Sequence, residues 1–219
     1  MDHREFIQQL QRELQLELAR LDALPLAQPG QSAPAAVIEL LKLALKSEIE
    51  ASEIAASWML TTPEMDLKLG LARQCGDEAR HFYLIQQRLL ELGFPAQDYN
   101  PVAHGYSPLF RYLRTLHGTV ERLAAAQFAR EGIAHKMNGR FIAYLEQAGD
   151  LPSAAMYRNV VQPEEAAHHE FAIRMLGKYA NTPEAQTSAR AAMRRSLELS
   201  DEFRELAGNA LGSAAIPAS

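Results

Sequence analysis

The chain of 219 residues has one cysteine, Cys75, which excludes an intrachain disulfide framework and any cysteine-rich zinc or rubredoxin-type module. It has no run of basic residues, and its net charge is −5, so neither nucleic acid nor an anionic membrane surface is an expected partner. It also lacks a long uninterrupted apolar run. The most apolar stretch, Val37 to Leu60, is broken by Glu39, Lys42, Lys46, Glu48, Glu50 and Glu53, so no membrane span is expected there. The opening segment MDHREFIQQL has no apolar signal core, which makes a cytoplasmic location the expectation. What remains is ordinary for a globular domain: 47% hydrophobic and 22% charged residues, in a chain long enough for one domain with a sizeable core.

Hydrophobic periodicity predicts helices almost throughout. Phe6, Leu10, Leu14, Leu18 and Leu21 form a stripe on an N-terminal arm, broken by the Pro- and Gly-rich segment from Pro25 to Pro34. Four longer helices are expected, at roughly 35–60, 63–92, 108–148 (with room for an interruption) and 152–180. A last helix is expected from Pro183 to about Leu211, with Leu199, Phe203, Leu206 and Ala210 on one side and a frayed tail beyond. Thr61-Thr-Pro63 joins the first pair and Ala148-Gly-Asp-Leu-Pro152 the second, and joins this short make antiparallel neighbours. Residues 93–107, with two prolines and two glycines, read as one long crossover between the hairpins. The expected organisation is a single domain over 1–219: an arm and linker at 1–34, a four-helix bundle at 35–180, and a helix with tail at 181–219.

Two short phrases carry chemistry: Glu78-Ala-Arg-His81, preceded by Asp77, and Glu165-Ala-Ala-His168, preceded by Glu164. A Glu and a His three apart on a helix share one face and can share a metal. One such pair is weak evidence. Two, each with a carboxylate-bearing helix upstream, are what a four-helix di-metal carboxylate site requires.

The upstream carboxylates follow from depth and periodicity. In an antiparallel hairpin, residues at equal depth are equidistant from the turn. The midpoint of Glu48 and Glu78 falls on Pro63, in the loop, whereas Glu50 and Glu53 move it into the second helix. Glu48 is also central to a stripe of Leu41, Leu45, Ser52, Ala55 and Met59, where a carboxylate is costly unless a cation compensates it. Glu50 shares its face with Lys46, Ser47, Glu53 and Ser57, a solvated pattern. On the second hairpin the midpoint of Glu131 and Glu165 falls on Ala148 in the loop, whereas Glu121 would move it to Ala143 inside an apolar run. Glu131 lies on a stripe with Val120, Ala124, Phe128, Asn138 and Phe141. Each half therefore reads Glu, turn, Glu-x-x-His, a degenerate internal repeat.

Over residues 35–180 these motifs resemble the ferritin-like di-iron carboxylate superfamily, which includes ferritins, rubrerythrins, ribonucleotide reductase small subunits and di-iron oxygenases. The resemblance implies an all-α, ferritin-like four-helix bundle. It also implies two metals, held by Glu48, Glu78, His81, Glu131, Glu165 and His168, with Glu78 and Glu165 bridging. Asp77 and Glu164 would then hydrogen-bond His168 and His81 across the bundle and fix their orientation. Asp is the usual residue where this chain has Glu164. His135, one turn after Glu131, is a further candidate beside the centre, either as a seventh ligand or in packing. Four carboxylates and two imidazoles suit two iron ions, or one manganese and one iron, better than structural zinc.

By the same analogy the chain is expected to be an oxygenase or oxidase that uses dioxygen on a small organic substrate. An electron-donor protein and a homodimer are partners compatible with that reading. Iron storage with ferroxidase activity and a rubrerythrin-like peroxidase are the alternatives. The arm, the last helix and the crossover, with Phe94, Tyr99 and Tyr106, favour the enzyme, because they could roof a pocket beside the metals. Cys75 could line such a pocket or be a small buried hydrophobe, and Tyr157 could relay electrons or simply pack in the core.

Overall fold

The computed structural model describes residues 2–23, 28–30 and 33–214, with side chains described as far as Ser200. The described residues form helices and loops without strands. The stripe ending at Leu21 forms α1 (His3–Ala23), with Phe6, Leu10, Leu14 and Leu21 buried. The first two long helices are α2 (Ala33–Thr61) and α3 (Met65–Glu91), packed along their lengths as a hairpin. Gly93, at φ 85°, stops α3: its N–H reaches the Leu90 carbonyl and that of Phe94 reaches Leu89, so the last carbonyls of the helix are satisfied. Pro95 follows and prevents resumption.

The third helix of the sequence reading is four pieces. A short α4 (Pro108–Leu113) is capped by Ser107, whose Oγ accepts from the Phe110 N–H. After a break come one turn of α-helix, α5 (Thr119–Arg122), a π-helical stretch at Leu123–Arg130, and α6 (Glu131–Gln147). The fourth is α7 (Leu151–Met156), a π-helical turn at Tyr157–Val161, and α8 (Gln162–Tyr179). Pro163 accounts for that second widening. It has no N–H to give to the preceding turn and its ring crowds the carbonyl four residues back, which a wider turn relieves.

The first π stretch has a tertiary cause. A wide turn leaves carbonyls without their usual helical donors, and here partners from outside the segment supply them. Ser196 Oγ donates to the Ala125 carbonyl at 2.6 Å, and His169 Nδ1 lies 2.7 Å from the Phe128 carbonyl. Ser196 belongs to α9 (Pro183–Ala214), which packs along this stretch and α2, whereas His169 lies on α8. Of the stripe expected on α9, Leu199 is buried, whereas the side chains of Phe203, Leu206 and Ala210 lie outside the described residues, as do residues 215–219.

The turn joining α6 to α7 uses Gly149, at φ 81°, as Gly93 is used. Asp150 then accepts from the Ser153 N–H and pairs with Arg88 of α3 at 2.8 Å, tying the two hairpins together. Three apolar clusters result. One joins α1, the first π stretch and α8; one joins the first half of α2 to α6 and α7; one joins the end of α2 to α4 and α9. α3 and α8 pack against each other, as do α6 and α8.

Candidate metal centre

Where these helices meet, the interior is polar. Glu48 from α2, Glu78 and His81 from α3, Glu131 from the start of α6, and Glu165 and His168 from α8 are all buried. Their donor atoms fall into two groups of four, Glu48, Glu78, His81 and Glu165 in one and Glu78, Glu131, Glu165 and His168 in the other. Within each group the atoms lie within 4.8 Å of one another. Glu78 and Glu165 belong to both. Each group could hold a metal ion.

The hydrogen-bond pattern tests that fit. Glu48 Oε2, Glu78 Oε2, Glu131 Oε2, Glu165 Oε2, His81 Nδ1 and His168 Nδ1 are buried without a hydrogen-bond partner. Six orphaned atoms, one from each residue of the cluster, are far outside the usual economy of a folded interior. The separations fit a cation. His81 Nδ1 stands 3.4 Å from Glu48 and 3.3 Å from Glu78, and His168 Nδ1 stands 3.5 Å from Glu78. These spans are long for hydrogen bonds. Two donors each about 2.1 Å from one ion, at right to tetrahedral angles, stand about 3.0–3.4 Å apart.

The outer faces of both imidazoles are committed. His81 Nε2 lies 2.8 Å from Glu164, and His168 Nε2 lies 3.1 Å from Asp77. A carboxylate only accepts, so Nε2 carries a proton, and Nδ1 is the nitrogen that offers a lone pair to the cluster once its own proton is displaced. Glu164 reaches across despite standing where Asp is usual in the family that the motifs resemble, and it also pairs with Arg80. Asp77 is paired with Arg73 at 3.6 Å.

The electrostatics reflect four carboxylates in a dry interior. Burial, against the opposing pull of His81 and reinforced by Glu78, pushes Glu48 up to about 8. Burial, then Glu131 and Glu78, hold Glu165 well above the usual carboxylate range. Burial would raise Glu78 as well, but His81, Glu48 and the charges of Arg130 and His168 outweigh it and bring Glu78 down to about 2. Against its own burial, His81 is drawn up to about 11 by Glu48 and Glu78. Without metal, the cluster must hold protons where a metal-filled one would hold cations.

Other residues depart from the sequence reading. His135 is exposed, with Nδ1 3.3 Å from the Gln162 carbonyl, and contributes nothing to the cluster. Four residues beyond Glu131 its side chain starts about 6 Å further along the helix axis, past the centre. The histidine that does act nearby is His169. Its ring stacks on Phe128 at 4.9 Å, in space left open by Gly132, where a Cβ would come within 3.2 Å of the imidazole. Glu50 is buried rather than solvated, because the crossover folds over it. It accepts from the Ser107 N–H at 2.7 Å and the Ser107 hydroxyl at 2.5 Å, and pairs with Lys46 at 3.1 Å. Glu121 caps the Gly118 N–H at 2.9 Å.

The crossover aromatics pack against neighbouring side chains. Phe94 and Tyr99 meet edge to face with Lys42 over both rings, and Tyr106 stacks on Phe110. Cys75 is half-buried beside Ser52, whose hydroxyl donates to the Cys75 carbonyl at 3.0 Å. Tyr157 is fully buried, edge to face with Phe141, and its hydroxyl has no partner.

Three polar residues at the centre were not apparent in the sequence. Arg130 donates to Glu131 Oε1 at 2.6 Å and to Ser47 Oγ at 3.1 Å. Gln74 donates to the same Glu131 oxygen at 2.7 Å, and Gln127 donates to Gln74 at 3.0 Å. Nothing marks Arg130, between Ala129 and Glu131, as an interior residue. For Gln74 the available signal is its position one helical turn before Glu78. A small space of about 20 Å³, roughly one water, lies beside Gln127, among Trp58, Thr62, Leu71, Arg122 and Phe171. No helix of the described residues is long and apolar enough to cross a membrane. Comparison with protein-family models, curated proteins and solved structures returns no match, so the reading of the centre rests on its residues.

Proposed function

We propose that this chain is a ferritin-like di-metal carboxylate oxidoreductase, an oxygenase or oxidase that uses dioxygen on a small organic substrate. The observation that carries the reading is the pair of four-residue groups sharing Glu78 and Glu165, with one orphaned buried donor from each of six residues. Glu48 and His81 would serve one metal, Glu131 and His168 the other, and Glu78 and Glu165 both. Four carboxylate charges balance two divalent ions, and hard oxygen donors with two imidazoles favour iron or manganese. Such a metal pair supplies redox chemistry with dioxygen.

The protein's own contribution is orientation and exclusion. Asp77 and Glu164 hold the imidazoles with Nδ1 inward. The three apolar clusters keep bulk water from the centre, which strengthens every charge interaction there.

The test is anaerobic loading with ferrous iron followed by mixing with oxygenated buffer. Uptake of two irons per chain and stoichiometric oxygen consumption, in a monomer or dimer, support the proposal. Iron that stays ferrous in air, or a many-subunit shell that mineralises iron, would refute it.

A further inference from the structure

We propose that the two metal positions are unequal, and that Arg130 makes the position at Glu131 and His168 the weaker, later-filled and more exchangeable one. This rests on the di-metal reading above and concerns how the pair assembles. Each position has the same donor types: one terminal glutamate, one imidazole Nδ1 and a share of Glu78 and Glu165. Any difference in affinity must therefore come from what surrounds the donors.

The surroundings differ sharply at the two terminal glutamates. Glu131 Oε1 is already taken by two donors, Arg130 Nη1 at 2.6 Å and Gln74 Nε2 at 2.7 Å. Only Oε2 is free, so Glu131 can offer a metal one oxygen and cannot chelate with both. Gln74 is itself held, since its carbonyl accepts from Gln127, which keeps its amide N–H aimed at Glu131. Arg130 is clamped at its other end by Ser47, through Oγ at 3.1 Å and the carbonyl at 3.4 Å, so it does not swing away readily.

A guanidinium does not lose its proton in a protein, and here its side chain is only 13% exposed. A cation arriving at Glu131 thus meets a fixed positive charge on the far side of its own ligand, where water screens little. Electron density on Glu131 is shared between the metal and two hydrogen-bond donors. Glu48 has no such direct bond. Arg130 acts on it only through space and less strongly than on Glu131, its Oε2 is unpartnered, and the imidazole Nδ1 of His81 at 3.4 Å is itself a ligand of the same position. The first metal should settle at Glu48 and His81, and a one-metal species should accumulate before the second position fills. An unequal pair can also take two different metals in order.

Anaerobic titration of the full-length, metal-stripped protein with cobalt(II), followed by calorimetry and visible absorption, tests this. Two transitions at least tenfold apart in affinity are expected. Glu131→Ala should remove the weaker and Glu48→Ala the tighter. Arg130→Gln should tighten the weaker transition at least fivefold and leave the tighter one within threefold, a direction that mere structural damage would not produce. Two equal transitions, or loss of the weaker one in Glu48→Ala, would overturn the inference while leaving the di-metal reading standing. Those outcomes are read in the native background and in single ligand variants, so they hold even if Arg130→Gln does not fold. No cobalt uptake at all would remove the di-metal reading, and this inference with it.

Discussion

His81 and Glu164 come from different helices, 83 residues apart, and meet at 2.8 Å with the imidazole turned so that its other nitrogen faces three carboxylates. This contact converts a side chain with several rotamers into an aimed donor, and the His168–Asp77 contact does the same for the second position. Supporting carboxylates of this kind typically contribute 10–100-fold in metal affinity. Glu164→Gln and Asp77→Asn should each weaken metal binding by about that factor while the fold, followed by circular dichroism, is retained. Unchanged affinity in both variants would show that the rings are aimed by packing alone.

Glu48 and Glu50 are both buried, but for different partners. Glu48→Ala should lower metal content by about one equivalent per chain. Glu50→Ala should leave metal content unchanged and instead lower stability, by about 1–3 kcal/mol, because the Ser107 N–H loses its acceptor at the start of α4. Metal analysis and thermal melts of the two variants separate these effects. A reversed pattern would mean that the face of α2 has been misassigned.

The metal-free protein should become less stable as pH rises from about 5 to 8. The sign follows from proton counts. The folded chain holds a proton on Glu48 up to about 8, whereas the unfolded chain releases it near 4.5. His81 holds its proton up to about 11, against about 6.5 unfolded. Both groups bind more protons in the folded state across this window, so stability falls with rising pH. Glu78, brought down to about 2, acts only below about 4.5 and does not change the sign. Metals replace those protons, so metal affinity should rise over the same range and the loaded protein should lose the downward slope. Melting temperatures of stripped and loaded protein across pH 5–8 check this, and a stripped protein that gains stability toward pH 8 would contradict it.

His169→Phe should keep the ring packing against Phe128 but leave the Phe128 carbonyl unpaired, costing about 1–3 kcal/mol. His135→Phe, on the exposed face of α6, should cost less than about 0.5 kcal/mol. Chemical denaturation distinguishes them. Equal effects would show that the π-helical stretch does not depend on His169.

The helices and the six residues of the cluster were legible in the sequence because the signals for them are local. Apolar periodicity marks helix faces, Gly93 and Gly149 followed by Pro95 and Pro152 mark stops, and Glu-x-x-His places two donors on one face whatever packs against it. Depth in a hairpin, measured from the turn, together with the apolar stripes of the helices, then separated Glu48 from Glu50 and Glu131 from Glu121. Only the tertiary structure decided what surrounds those six. Glu50 reads as solvated until the crossover folds over it. Arg130 carries no signal of its own in the sequence, and only the fold, in which Ser196 and His169 bond carbonyls of the π-helical stretch, places it beside Glu131. A charge enters the interior only where partners from several helices compensate it, and no window of sequence contains those partners.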